Sequence, residues 1–235
     1  MTTDRAPVGL PTSGAATGRN LAALVTRMWK LRVAGAHHVP VDGPVILAAN
    51  HTAFLDGLLL AAASPRPVHV LVKSEIFVPP IDRLMRATSQ IRIEYDGPDR
   101  SALLEAVAVL ADAGVVGVFP EVHRGAGDAR HLKHGAAYLA ARTGALVVPV
   151  AILGARPAGT GKDALPRLRS PLDVVFGEPV DIRVEGDARR RAVLARSGER
   201  LRQTLSDHVQ NAVRRTGQDL PGPLPDTASD HRSTA

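Results

Sequence analysis

Apolar residues fall along this chain in two rhythms. Runs with almost no polar interruption occupy 44–49, 68–72, 91–93, 115–119 and 146–152. Runs that lack an in–out alternation predict strands buried on both faces of a sheet. Between them, 55–63, 81–87, 100–113 and 133–142 carry apolar residues at helical spacing. This alternation predicts an α/β fold, a mainly parallel mixed sheet flanked by helices in a single domain. One more strand is expected in LDVVFGEPV, after the Gly/Pro/Arg-rich loop ARPAGTGKDALPRLRSP. Leu201, Leu205, Val209 and Val213 then mark a C-terminal helix. No internal repeat and no linker divides the chain.

Near the start, NLAALVTRMWKLRV places Leu21, Leu24, Val25 and Met28 on one helical face, flanked by Arg19, Arg27, Lys30 and Arg32, with Trp29 close by. An amphipathic helix of this kind either packs on its own domain or lies in a membrane interface, its basic residues near anionic lipid. Residues 1–18, rich in Pro, Gly, Ser and Thr, predict a disordered arm, 19–216 the folded domain, and 217–235 a disordered tail.

Composition narrows the partners. The chain has 235 residues, 45% hydrophobic and 22% charged, enough for one substantial core. A net charge of +6 points to an anionic partner: a membrane surface, nucleic acid or a phosphorylated substrate. Aromatics at 3% leave little for base stacking, which favours lipid or phosphate and argues against nucleic acid. The absence of cysteine excludes disulfides, cysteine-ligated zinc and a cysteine nucleophile. With no secretory signal and no apolar run of about 18 residues, a cytoplasmic protein, soluble or bound peripherally to the membrane, is expected.

Chemistry concentrates where buried strands end. In ILAANHTAFLDGLLL, His51 and Asp56 lie five positions apart across a strand-to-helix turn. The C-terminal edge of an open α/β sheet is the usual place for a ligand site. Two readings stand level on this stretch alone. The pair is either a general base with its orienting carboxylate or a structural bond tying loop to helix. VFPEVHRGAG presents Glu121, His123 and Arg124 after a second strand, and VKSEIF presents Lys73 and Glu75 after a third. The first also reads as a solvated loop with its charges in water, and the second as a surface ion pair. Neither a G-x-S-x-G elbow nor a P-loop is present, and His131 with His134 lacks a third metal ligand nearby.

Taken in order, these blocks resemble the lysophospholipid and glycerol-phosphate acyltransferase family. Asn50-His51 through Asp56 is similar to its N-H-x-x-x-x-D motif, and Lys73-Ser74-Glu75-Ile76-Phe77 to its K-x-E-L/I-F segment. Phe119-Pro120-Glu121-Val122-His123-Arg124 stands where the family has F-P-E-G-T-R, and an apolar strand ending at Gly154 follows a K-x-G-A-A-like helix. The resemblance implies acyl transfer from acyl-CoA or acyl carrier protein to an alcohol at a membrane surface, with no cofactor beyond that donor. It makes His51 the base and Asp56 its orienting carboxylate. Glu121 and Arg124 engage the acceptor, the arginine holding its phosphate, and Lys73 and His123 fall in the same substrate-binding blocks.

Two departures bear on the acceptor. The family's Gly-Thr is Val122-His123 here, and Tyr95 stands about where the family places a phosphate-binding arginine. The reaction type survives both, while the acceptor opens to other head groups. Two rivals remain: a catalytically silent lipid-binding scaffold, which has no need of an intact His51/Asp56 pair, and a thioester hydrolase, which leaves Glu121 and Arg124 without a role.

Overall fold

The computed structural model describes residues 27–79, 81–94, 99–121, 124–130, 132–185 and 191–225. The arm expected at 1–18, most of the amphipathic stretch, and 226–235 of the expected tail lie outside the described residues. Seven strands form one sheet in the order β1-β7-β6-β2-β5-β3-β4. They are β1 Lys30–Ala34, β2 Val45–Ala49, β3 Val68–Lys73, β4 Ile91–Ile93, β5 Val115–Val118, β6 Leu146–Leu153 and β7 Pro171–Phe176. The helices are α1 Asp56–Ala63, α2 Ile81–Ala87, α3 Arg100–Ala111, α4 Gly135–Thr143 and α5 Arg191–Thr216. All neighbouring strands run parallel except β6 and β7, which pair antiparallel.

The unbroken apolar runs follow from this layering. Every residue of β2 and β5 is buried, because helices cover both faces. Val45, Leu47 and Ala49 face α1, through Leu59, Leu60 and Ala63. Ile46 and Ala48 face α3, α4 and α5, through Ala106, Leu139 and Leu201. Gly117 in β5 leaves the room that α1 uses: a Cβ there would stand 3.0 Å from the Leu60 side chain.

The topology creates a crevice. From β2 the chain crosses β5 by way of α1 to reach β3; from β5 it crosses β2 by way of α4 to reach β6. Adjacent parallel strands whose connections depart to opposite faces splay apart at their C-terminal ends. The loops after β2 and β5 therefore meet side by side.

Three expectations are corrected. Lys30–Val33, read as the end of the amphipathic helix, belongs to an edge strand, Lys30–Ala34, parallel to β7. K-L-R-V-A also fits a period of two, and the Arg32 guanidinium pairs with Asp173 of β7 at 2.7 and 2.5 Å. Trp29 is only 5% exposed, and its indole donates to the Pro166 carbonyl at 3.2 Å. Helical structure begins at Gly135, where 133 was expected. Past Thr216 the chain keeps fixed contacts: Gln218 donates to Asp173, and Leu220 packs with Val209 and Ala212 of α5. Ordered structure thus runs beyond the boundary expected at 216.

Candidate functional site

Asn50 follows β2 directly and ties it to β6. Its side chain accepts from the Ile152 N–H at 2.7 Å and donates to the Ile152 carbonyl at 3.2 Å. That clasp sets the height at which the chain turns, and His51 follows. The His51 Nδ1 lies 2.9 Å from Asp56 Oδ2. The same oxygen accepts the N–H groups of Thr52 at 2.6 Å and Ala53 at 2.8 Å. An oxygen that already accepts two backbone donors is an acceptor toward the ring as well, so Nδ1 carries the proton. Nε2 is left as the free lone pair. Phe119 stacks on the imidazole, ring centroids 4.3 Å apart, and fixes its plane. Asp56 is fully buried, whereas the His51 side chain keeps 18% exposure. One partner is locked and the other is reachable.

The loop after β5 closes over this pair. The Gly125 N–H donates to the His51 carbonyl at 3.0 Å. Gly127 takes φ +74°, and a Cβ there would lie 2.3 Å from the Thr52 methyl carbon, so only glycine permits the approach. Glu121 accepts from the Ala129 N–H at 3.1 Å. Burial pushes its carboxyl up to about 7, against the opposing pull of backbone hydrogen bonds from Ala129 and His51.

Arg124 sits 5.9 Å from the centre of the Phe54 ring, above the His51 loop. Its Nη1 donates to Asp163 Oδ1 at 2.6 Å and to the Lys162 carbonyl at 3.1 Å. Lys73 closes β3 at the same edge of the sheet. Two strand spacings separate β3 from β2, roughly 10 Å. His51, Asp56, Glu121 and Arg124 are thus gathered in one place, with Lys73 farther along the rim. His123, together with Val122 and Tyr95, lies outside the described residues. Among the described residues no three or more His, Asp or Glu are grouped to hold a metal ion.

Sequence reasoning passed over three residues. Asn50 and Phe119 stood inside quoted motifs, and their places beside His51 were the available signal. Arg156 had no such flag. It lies in the Gly/Pro/Arg-rich loop, yet it is 2% exposed.

Known proteins resemble this chain in sequence and in fold. The family model described as Acyltransferase matches residues 30–153, from the first residue of β1 to the last of β6. A 1-acyl-sn-glycerol-3-phosphate acyltransferase of Borreliella burgdorferi is 28% identical over 127 residues, 52% of this chain and 51% of the relative. One of the same name from Bacillus subtilis is 24% identical over 152 residues, 64% of this chain and 73% of the relative. The chain so spans about half the length of the first and about three-quarters of the second. The crystal structure of the 1-acyl-sn-glycerophosphate acyltransferase from Thermotoga maritima superposes with a TM-score of 0.60 at 20% identity, over 87% of this chain and 78% of that one. It is alike in fold. With its sheet from β1 to β6 inside the family match, the chain belongs to the acyltransferase family.

Proposed function

We propose that this protein is an O-acyltransferase. It moves a fatty acyl group from acyl-CoA or acyl carrier protein to the hydroxyl of a lysophospholipid such as 1-acylglycerol-3-phosphate. The observation that carries the reading is the 2.9 Å contact between His51 Nδ1 and a fully buried Asp56. It leaves Nε2 as a positioned base. Nε2 takes the proton of the acceptor hydroxyl, whose oxygen attacks the thioester carbonyl carbon directly. The tetrahedral intermediate then collapses, the C–S bond breaks, and the imidazolium returns its proton to the departing thiolate. Asp56 stabilises the imidazolium through the Nδ1–H bond.

Arg124 supplies the phosphate contact for the acceptor, its planar fork matching two phosphate oxygens. Arg124 pairs with Asp163, a carboxylate that is 68% exposed, so an incoming phosphate can take that carboxylate's place. Glu121 offers a second polar contact to the head group. Lys73 and His123 belong to the same substrate-binding set, and the donor itself is a substrate, so no resident cofactor is required.

A membrane surface is the natural source of such an acceptor. The loop that carries Asp163 supports this placement. It exposes Leu165 at 57% and Leu168 at 70%, among exposed Lys162, Arg167 and Arg169. Apolar residues flanked by cations suit an anionic lipid interface. Among the described residues no helix is long and apolar enough to cross a membrane.

The test uses purified protein, a long-chain acyl-CoA and lysophosphatidic acid in mixed micelles, with products followed by mass spectrometry. Diacyl product is expected, and His51→Ala should remove at least about 99% of it, as loss of a positioned base costs 10²–10⁴-fold. Free fatty acid without diacyl product would replace transfer by hydrolysis. Activity of His51→Ala above a few per cent would remove His51 from the role of base.

A further inference from the structure

The loop leaving β6 buries a cation that the reading above does not use. Arg156 is 2% exposed. Its Nη1 donates to the Thr160 carbonyl at 2.7 Å, and its Nη2 to the carbonyls of Gly125 at 3.0 Å and Gly222 at 2.6 Å. These are neutral acceptors from three separate segments. They occupy both Nη atoms without balancing the charge, and a buried guanidinium without a counter-charge is costly.

Asp56 presents the complementary problem. Its carboxylate is fully buried, and all three of its donors converge on Oδ2. Among the described residues Oδ1 has no hydrogen-bond partner, and neither does Arg156 Nε. One orphaned acceptor and one orphaned donor lie on two buried groups of opposite charge. The two groups feel each other: burial lowers the pKa of Arg156, and the charge of Asp56 opposes that fall. The Gly125 carbonyl that Arg156 holds belongs to the residue whose N–H donates to the His51 carbonyl. Arg156 therefore touches the catalytic turn by two routes, one through charge and one through backbone.

We propose that Arg156 is the buried counter-ion of Asp56 and a positioning residue for the His51–Asp56 pair, with a buried water joining Nε–H to Oδ1. The inference rests on the acyltransferase reading for its consequence in catalysis, but the pairing of the two charges stands apart from it. Its effect is to hold the Asp56 carboxylate in place as the acceptor of the Nδ1–H bond, so that Nε2 of His51 keeps its lone pair toward the acyl acceptor. The three carbonyls act as a cradle that aims the guanidinium at the carboxylate.

The full chain is compared with Arg156→Met, Arg156→Lys, Asp56→Asn and the Arg156→Met/Asp56→Asn double variant. Denaturant midpoints are measured for all, and kcat and acceptor KM for the two Arg156 variants. Each single charge removal strands the other ion, so the double variant should lose clearly less stability than the sum of the singles. Arg156→Met should lower kcat by at least about tenfold, a part of what positioned proton transfer contributes. KM should change less than about threefold, and Arg156→Lys, which keeps the charge, should recover most of kcat.

Additive stability losses would overturn the pairing. A lysine variant as slow as the methionine one would reduce Arg156 to a clasp for the loops. If Arg156→Met does not fold, the lysine variant decides through kcat, and recovery of folding in the double variant supports the pair. A wild-type protein without transferase activity would sink the proposed reaction, while the stability cycle would still decide the pairing.

Discussion

Glu121 shows how burial turns an ordinary side chain into a titrating one. Its carboxyl is half-buried beside Asp128 and Asp56, and its value rises to about 7. The folded protein therefore holds a proton between about pH 4.5 and 7 that the unfolded chain releases. Because the native state binds more protons there, stability falls as pH rises through that window, and the loss is complete above about 7. Glu121→Gln keeps an oxygen for the Ala129 N–H and removes the ionisation. Its denaturant midpoint should match wild type near pH 4.5 and exceed it at pH 8. Parallel pH curves for the two proteins would show that Glu121 ionises freely in the fold.

One helix here is held by its end as well as by its buried face. The N-terminus of α3 is capped by Asp99, which accepts from the N–H groups of Ser101 and Ala102, both at 3.0 Å. Hydrogen bonds from Ser101 and Glu94 hold its carboxyl down to about 2. Asp99→Ala should cost about 1 kcal/mol of stability at neutral pH, read from urea unfolding. With the folded value depressed, the cap's contribution is full above about pH 4 and fades as pH falls toward about 2. An unchanged midpoint at pH 7 would mean that water caps the helix equally well.

The buried strands were legible because a sheet covered on both faces demands continuous apolar runs, and β2, β5 and β6 supply them. His51 and Asp56 were legible because a histidine and an acid at a strand's C-terminal end are few enough to notice. β1 was misread because five residues of mixed polarity satisfy a helical period and a strand period at once; pairing with Pro171–Phe176 decides between them, and that partner lies far along the chain. Arg156 was illegible for a related reason. Loop sequence carries no periodicity, and burial of a charge there depends on Gly125 and Gly222 arriving from two other segments.

At the scale of the whole molecule, the site and the exposed leucines share one loop. Asp163 touches Arg124, while Leu165 and Leu168 project from the same segment with Lys162, Arg167 and Arg169 around them. A lipid surface docked there would bring its phosphates close to Arg124. Leu165→Glu/Leu168→Glu should weaken co-sedimentation with anionic phosphatidylglycerol vesicles by at least about tenfold, since both the apolar insertion and the charge attraction are lost. Binding equal to wild type would remove this loop from the proposed membrane contact.

The closing of β1 on β7 has a kinetic side. A strand near the beginning of the chain waits for one of the last, and contacts so distant in sequence are formed slowly. Trp29 stands at that junction, its indole against Pro166, and it is the only tryptophan among the 235 residues. The protein thus carries its own optical reporter of β1 joining β7. In refolding from urea, the tryptophan emission should shift to the blue later than the helical circular dichroism returns. Simultaneous recovery of the two signals would mean that the edge strand joins with the rest of the sheet.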